Sequence, residues 1–270
     1  MIRDSILQEI ISNKHKEVLE RKSLYPLKFL ENSTYFSTNP VSLKKYILDK
    51  NKSPIIAEFK SRSPSKGIIN SYAKVEQVSL GYMQAGAAAL SILTDKWYFG
   101  GSLENLKKAR QENYCPILQK DFIVDEYQII EAKSYGADAI LLIASILSLS
   151  QIKQFTQLAN SLNMEVVLEI HDISELDKVI SNISIVGINN RNLSNFHVNP
   201  YHSQELAIKV PDQNIKIAES GIDSPKTAKL LLENGFNGLL IGEAFMKHDQ
   251  PGKACKTFID QIKTEISSKL

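Results

Sequence analysis

Six polar side chains stand where short apolar runs of this sequence end, and their types suit acid–base chemistry. They are Glu58, Lys60, Lys120, Glu169, Asn189 and Glu219. The parity of each run turns these side chains toward one common side, and charged groups are normally excluded from a core unless they are paired. Any one of them alone could form a structural ion pair, but five charged side chains in one place indicate an active site. Lysine and glutamate can transfer protons there, and lysine can also act as an electrophile or a Schiff-base nucleophile.

Glycine-bearing segments after two of the runs predict a phosphate site. Ser220-Gly221 follows the seventh run, and Gly242-Glu243 follows the eighth. Glycine lets backbone N–H groups approach a ligand, and a short helix starting near Glu243 would direct its positive end to the same place. Either glycine alone could instead serve a tight turn. Ser63, near the end of the first run, could add a hydroxyl group to the site.

Arginine and histidine contribute less to this set of residues. Of the five arginines, Arg62 and Arg191 fall at run ends, where each could be a rim salt bridge or an anion contact. Of the five histidines, His171 could face the same rim because it follows Glu169 by two residues, but the histidines build no site of their own. The sequence has no HxH or HExxH motif, so a metal hydrolase is not expected, and it has no GxSxG motif either. The chemistry that these residues still allow is proton transfer by lysine and glutamate on a phosphorylated small molecule.

The runs that carry these residues repeat eight times and alternate with helix-like segments. They span residues 54–60, 89–95, 116–122, 139–145, 165–170, 185–190, 215–220 and 238–243. Most are continuously apolar, as strands covered on both faces are, and their alternation with helices predicts a parallel sheet. Eight such units predict an α/β fold, a closed (β/α)8 TIM barrel whose active site lies at the carboxyl ends of the strands. The rival, an open doubly wound sheet, would carry GxGxxG after its first strand, where this sequence has SRSPSKG instead.

The first 52 residues precede the repeating pattern. Apolar residues at helical spacing predict an amphipathic helix over residues 2–21, and a second short helix is expected near 41–48. The charges of the first helix are mixed in sign, which favours packing on the protein over a membrane surface. We therefore predict a single domain over 1–270, with a helical extension (1–52) on a barrel (53–270).

Composition narrows the class of protein. The 270 residues are 43% hydrophobic and 23% charged, which is typical of a globular protein. A net charge of +2 favours binding neither to nucleic acid nor to an acidic membrane. Two cysteines cannot form a disulfide framework, and no cluster has the spacing of metal ligands, so no metal and no cofactor are expected. The charged N-terminus is unlike a secretory signal, and we expect a cytoplasmic monomer.

Eight segments of the chain, in order, resemble the indole-3-glycerol-phosphate synthase family. They are IIAEFKSRSPSKG (55–67), ALSILTDKWYFGGS (89–102), PILQKDFIVDEYQI (116–129), GADAILLIASIL (136–147), VVLEIHD (166–172), VGINNRNL (186–193), IAESGI (217–222) and LLIGEAFM (239–246). The resemblance covers every predicted strand end and the N-terminal extension. It implies a carboxy-lyase of tryptophan biosynthesis that needs no metal or cofactor. The reaction would convert 1-(2-carboxyphenylamino)-1-deoxyribulose 5-phosphate to indole-3-glycerol phosphate, carbon dioxide and water.

The resemblance also implies roles for the residues at the strand ends. Lys120 matches the lysine that acts as an acid at the substrate ketone. Lys60 and Glu169 match the residues of the dehydration step, and which of them is acid or base stays open. Glu58 matches a carboxylate that orients Lys60. Glu219 and Asn189 match polar groups that hold the substrate hydroxyls and the lysines.

The remaining matches concern substrate binding. Phe99, Phe122 and Leu193 match an apolar clamp around the anthranilate ring, Arg191 matches an arginine near its carboxylate, and Ser63, Gly221, Gly242 and the backbone of Glu243 match the phosphate site. Glu243 stands where some members have serine, so its side chain is expected to turn away from the phosphate. Two alternatives are another enzyme on the same scaffold, such as a sugar-phosphate isomerase, and a phosphate-binding protein without catalysis.

Overall fold

Eight parallel strands close into a barrel in the computed structural model of this chain, which describes residues 4–190 and 200–267. In chain order the strands are β1 (Ser53–Phe59), β2 (Ala87–Leu93), β3 (Ile117–Lys120), β4 (Ala139–Ile143), β5 (Glu165–Ile170), β6 (Ile185–Asn189), β7 (Ile215–Glu219) and β8 (Gly238–Ile241). Each strand pairs with its neighbours in the sequence, and β1 closes the barrel by pairing with β8. The predicted (β/α)8 barrel is confirmed.

Helices alternate with the strands and also precede them. In chain order they are α1 (Asp4–Leu24), α2 (Leu27–Glu31), α3 (Leu43–Ile47), α4 (Val75–Gln84), α5 (Leu103–Glu112), α6 (Glu126–Ser134), α7 (Leu149–Ser161), α8 (Pro200–Ala207), α9 (Pro225–Glu233), α10 (Glu243–Met246) and α11 (Pro251–Ser267). After β5 the helical segment is a 3₁₀ helix over Ile173–Lys178. No helix within the described residues is long and apolar enough to cross a membrane.

Strand residues alternate between two apolar layers, and this alternation directs the polar groups. In β1, Ile56 packs inside the barrel, whereas Ile55 packs under the surrounding helices. The same inward parity continues to Glu58. In β5 it runs from Val167, which is buried inside the barrel, to Glu169. The interior is therefore apolar toward the amino-terminal end and polar at the carboxyl-terminal mouth.

The N-terminal extension contacts both ends of the barrel. At the amino-terminal end, the buried side chains of Leu43 and Ile47 in α3 pack inside the strands. Glu165 at the start of β5 fastens α3, because its carboxylate accepts hydrogen bonds from the Ser42 hydroxyl (2.7 Å) and from the Lys44 backbone N–H (2.9 Å). At the opposite end, α1 forms part of the wall of the mouth.

Element boundaries differ from the predicted ones mainly at the mouth. The strands were expected to run on to Lys60, Asp95 and Phe122, but β1, β2 and β3 end one or two residues earlier. These last residues leave the hydrogen-bonded ladder and begin the loops that carry the site. The sequence analysis also missed a small hairpin after β1, in which Arg62–Ser63 pairs with Gly67–Ile68.

Candidate active site

The mouth of the barrel holds a cavity of about 840 Å³. Thirteen of the fifteen residues proposed from the sequence line it: Glu58, Lys60, Ser63, Phe99, Lys120, Phe122, Glu169, Asn189, Glu219, Ser220, Gly221, Gly242 and Glu243. The other two, Arg191 and Leu193, lie outside the described residues. Arg62, the second arginine considered, is exposed on the hairpin and does not line the cavity.

Lys120 is held between two buried carboxylates. Its Nζ lies 2.6 Å from Glu169 Oε2 and 2.8 Å from Glu219 Oε2. Burial alone would lower the pKa of Lys120, but the charges of Glu169, Glu219 and Glu58 outweigh burial and raise the pKa above its ordinary value. Lys120 is therefore an ammonium at neutral pH, and it can donate a hydrogen bond or a proton to a ligand in the cavity.

The two carboxylates beside Lys120 differ in their ionisation. Burial raises the pKa of Glu219 to about 7, with the negative charge of Glu169 acting in the same direction and Lys120 opposing. Burial would also raise the pKa of Glu169, but Lys120 and His171 reverse this and hold the pKa well below its ordinary value. Two neighbouring carboxylates repel each other, and this repulsion moves their pKa values apart. Glu169 is therefore ionised, while Glu219 can take up a proton near neutrality.

His171 lies directly behind Glu169, a contact that the sequence analysis did not use. Its Nε2 is 3.0 Å from Glu169 Oε1, and its Nδ1 is 3.8 Å from Glu175 Oε2. Burial would lower the pKa of His171, but the two carboxylates raise it to about 9. This contact agrees with the expectation that His171 could face the rim, although His171 was not included among the proposed site residues. The spacing of two residues from Glu169 was the available signal.

A second lysine–carboxylate pair lies on the β1 side of the cavity. Lys60 Nζ is 2.9 Å from Glu58 Oε1. Glu58 is buried, and Gly242 leaves space for it, because a Cβ at position 242 would lie 2.7 Å from Glu58 Oε1. Gly187 has the same role for Glu219, since a Cβ there would clash with Glu219 Oε1. These two glycines therefore make room for site carboxylates, and the sequence analysis had not singled out Gly187.

The glycine-bearing ends of β7 and β8 meet the hairpin at one side of the cavity. Ser220 and Gly221 both have positive φ values, 67° and 69°. For Ser220 this conformation is strained, and the buried Asn190 stabilises it by donating a hydrogen bond to the Ser220 carbonyl at 2.8 Å. Opposite them, Ser63 and Ser65 present hydroxyl groups 3.5 Å apart.

Two charged residues border the same side of the cavity. Helix α10 begins at Glu243, as predicted, and has only four residues. The Glu243 carboxylate is 3.5 Å from Lys66 Nζ, and both side chains are partly exposed. Lys66 and Ser65 line the cavity but were missing from the proposed set, although both belong to the SRSPSKG segment.

An apolar wall faces the lysines from the loops after β2 and β3. The rings of Phe99 and Phe122 are in tilted contact, with centroids 5.9 Å apart. Ile6, Leu7 and Ile10 of α1 continue this wall. The cavity thus has an apolar side suited to a flat ring and a polar side suited to an anion, and Lys60 and Lys120 line the same cavity.

Metal ligands are not grouped in the described part of the chain: no set of three or more histidine, cysteine, aspartate or glutamate residues there is placed to hold an ion. The carboxylates of the cavity are instead paired with lysines. These groups suit proton transfer and the stabilisation of negative charge on oxygen.

A closed (β/α)8 barrel with paired lysines and carboxylates at its carboxyl-terminal mouth defines a TIM-barrel enzyme of the lysine–glutamate acid–base type. The sequence profile of a family described as indole-3-glycerol phosphate synthase matches residues 7–258. Curated proteins of that name are similar to this chain over nearly its whole length. The one from Bacteroides thetaiotaomicron is 45% identical over 257 residues, covering 95% of this chain and 98% of its own length. The one from Polaromonas naphthalenivorans is 39% identical, covering 92% and 96%. The chain therefore belongs to the indole-3-glycerol phosphate synthase family.

Solved structures of other proteins share the fold. Thiamine phosphate pyrophosphorylase from Pyrococcus furiosus superposes with a TM-score of 0.58 at 16% identity, covering 80% of this chain and 98% of its own. A chain of the tryptophan synthase complex from the same organism gives 0.57 at 16% identity, covering 78% and 97%. At this identity the likeness concerns the barrel alone.

Proposed function

We propose that this chain closes the indole ring in tryptophan biosynthesis, converting 1-(2-carboxyphenylamino)-1-deoxyribulose 5-phosphate to indole-3-glycerol phosphate, carbon dioxide and water. Membership of the family supports the reaction. The observation that carries it at the level of the site is Lys120, which is held as an ammonium in a cavity with one apolar and one polar side.

The two sides of the cavity orient the substrate. The phosphate binds between the hairpin hydroxyl of Ser63 and the backbone at Gly221 and Gly242, where Lys66 adds a positive charge. The anthranilate ring packs against Phe99 and Phe122. The ketone of the linear sugar then lies between the two ends, within reach of Lys120.

Ring closure begins when the aromatic carbon that bears the carboxylate attacks the ketone carbon. Negative charge develops on the ketone oxygen, and Lys120 stabilises this charge and supplies a proton. The carboxylate then leaves as carbon dioxide, and its bonding electrons restore the aromatic ring. Glu169 and Glu219 keep Lys120 charged before the attack.

Dehydration completes the reaction, and it needs an acid at the new hydroxyl and a base for the proton on nitrogen. We assign the base to Glu169, an ionised carboxylate that lines the cavity and lies 2.6 Å from Lys120 Nζ. Lys60, paired with Glu58, is the acid that lets the hydroxyl leave as water. Asn189, whose Nδ2 is 3.3 Å from Glu169 Oε1, steadies the base.

The test is direct. The purified protein is mixed with the substrate, and indole fluorescence and released carbon dioxide are followed together. We expect both to rise in equal amounts without any added cofactor. A protein that consumes no substrate, or releases carbon dioxide without forming indole, would overturn the proposal. Light scattering of the same preparation tests the expected monomer.

A further inference from the structure

We propose that Lys14 of helix α1 is a positioning residue for the aromatic half of the substrate, because it fixes the two loops that carry Phe99 and Phe122. This inference rests on the proposed function, in which the anthranilate ring packs against those two side chains. Lys14 itself does not line the cavity.

Lys14 is the centre of a buried cluster of charges between the N-terminal extension and the barrel. Its Nζ lies 3.0 Å from Asp95 Oδ2, 2.9 Å from Asp121 Oδ1 and 3.0 Å from Glu17 Oε2. The Lys14 side chain is only 2% exposed, and those of Asp95 and Asp121 are 2% and 4% exposed. A buried ammonium surrounded by carboxylates is costly to disrupt, because removal of the lysine leaves uncompensated negative charges.

Asp95 carries the effect of Lys14 to the loop after β2. Its second oxygen, Oδ1, accepts hydrogen bonds from the backbone N–H groups of Tyr98 (2.8 Å) and Phe99 (3.2 Å). Lys14 on one oxygen and two N–H groups on the other fix the carboxylate. The turn that presents Phe99 is therefore fastened to α1.

Asp121 carries the effect to the loop after β3. Its Oδ1 accepts a hydrogen bond from the Phe122 backbone N–H at 2.7 Å, and this is the same oxygen that contacts Lys14. Its Oδ2 accepts a hydrogen bond from the Thr94 hydroxyl at the end of β2. One ammonium thus joins the two loops whose aromatic rings touch each other.

The phosphate side of the cavity takes no part in this cluster. Ser63, Gly221 and Gly242 lie on the hairpin and at the ends of β7 and β8, and none of them contacts Lys14, Asp95 or Asp121 through a hydrogen bond or ion pair within the described residues. Loss of Lys14 should therefore weaken binding of the ring without weakening binding of the phosphate. Loosening of α1 alone would also weaken binding of the ring, because Ile6, Leu7 and Ile10 of α1 line the apolar wall, so the experiment needs a second contact of α1 as a control.

The experiment compares Lys14→Met with Lys22→Met. Lys22 also joins α1 to the barrel, through Asp125 at 2.7 Å, but Asp125 caps helix α6 at the far end of the loop after β3, and Lys22 forms no ion pair with Asp95 or Asp121 within the described residues. KM for the substrate reports on the whole ligand, and the inhibition constant of glycerol 3-phosphate reports on the phosphate side alone. For Lys14→Met we expect KM to rise at least about tenfold, with the inhibition constant within about twofold of wild type. For Lys22→Met we expect both to stay within about twofold.

Several outcomes would overturn the inference. They are an unchanged KM in Lys14→Met, an equal loss for both ligands, or the same loss in Lys22→Met. If Lys14→Met does not fold, Asp95→Asn keeps the size of the side chain and removes its ion pair with Lys14, and a wild-type KM in that variant would also overturn the inference. Wild-type protein that shows no turnover would instead refute the proposed function, and the inference would fall with it.

Discussion

A lysine between two glutamates can serve as an acid only because its partners differ. Glu169 is ionised and Glu219 titrates near neutrality, so the net charge of the group of three changes between 0 and −1 when Glu219 gains or loses a proton. Buried charges otherwise tend to neutralise themselves by shifts in pKa. Because Lys120 is the charged acid of this group, its replacement is expected to lower kcat.

Replacement of Lys120 by methionine keeps the length of the side chain and removes the proton. We expect kcat to fall by about a hundred- to ten-thousandfold, because Lys120 is the group assigned to protonate the ketone oxygen, while substrate still binds. Indole fluorescence gives the rate and calorimetry gives the affinity. Lys108→Met, on the outer face of α5, is the matched control and should behave as wild type. A Lys120→Met variant with more than about half of the wild-type rate would refute the role of Lys120.

His171 predicts a pH dependence of stability. Its pKa of about 9 in the folded protein lies above the ordinary value of 6.5. Its contribution to the free energy of unfolding is therefore complete below about pH 6.5 and is lost as the pH rises through about 9, by up to about 3 kcal/mol. Urea unfolding of wild type and His171→Gln at both ends of this range should show a steeper loss in wild type. Parallel behaviour of the two proteins would contradict this, and His248→Gln at an exposed site serves as the control.

Part of the site could be predicted from the sequence, because the alternation of side chains between the two faces of a strand depends on the backbone alone. Glu58, Glu169 and Glu219 face inward for this reason. The ion pairs that these glutamates form could not be predicted, because Lys120 contacts glutamates on two strands that are distant in sequence. Lys14 gave no signal either, since a lysine on a helix with many charges resembles an exposed residue. Arg191 and Leu193 remain predictions.

At the scale of elements, strand β8 shows how tightly the mouth is packed. Its last residue is followed by Gly242, where an added Cβ would lie 2.7 Å from Glu58 Oε1. Eight strands and most helices were predicted from apolar runs and their spacing. The hairpin after β1 was not, because two-residue strands have no periodicity to detect.

Replacement of Gly242 by alanine should lower activity by at least about tenfold, because the new methyl group pushes the Glu58 carboxylate away from Lys60. Gly238→Ala at the other end of the same strand is the matched control. An added Cβ there would lie 3.2 Å from the end of the Ile47 side chain and at least 3.5 Å from every other atom outside its chain neighbours. We expect it to alter stability and leave KM unchanged. Steady-state kinetics of both variants measure the difference, and equal activity of the two would exclude this role for Gly242.

At the scale of the whole molecule, the extension and the barrel form one packed structure. Leu43 of α3 is fully buried inside the amino-terminal end of the barrel. Leu43→Ala should lower the free energy of unfolding by about 2–5 kcal/mol and leave KM unaffected, because the cavity it creates is far from the mouth. Denaturant unfolding measures this, with Leu48→Ala, which is half exposed, as the control. A loss no larger than that of the control would show that α3 is not part of the barrel core.

The acid–base groups at the mouth also predict independence from metals. Activity should survive prolonged treatment with EDTA followed by dialysis, because lysines already neutralise the carboxylates that a cation would need. The measurement is the rate of indole formation before and after treatment. Activity lost on chelation and restored by Mg²⁺ or Zn²⁺ would reveal a metal site and reopen the roles of both lysines.

Within the described residues, helix α3 closes the amino-terminal end of the barrel, so the active-site cavity opens only at the carboxyl-terminal mouth. Carbon dioxide and water are small enough to escape past a bound molecule, but the indole product has to leave by the path along which the next substrate arrives. Product and substrate therefore exclude each other, and inhibition by product should be competitive. Initial rates at several product concentrations measure this, and a noncompetitive pattern would contradict it.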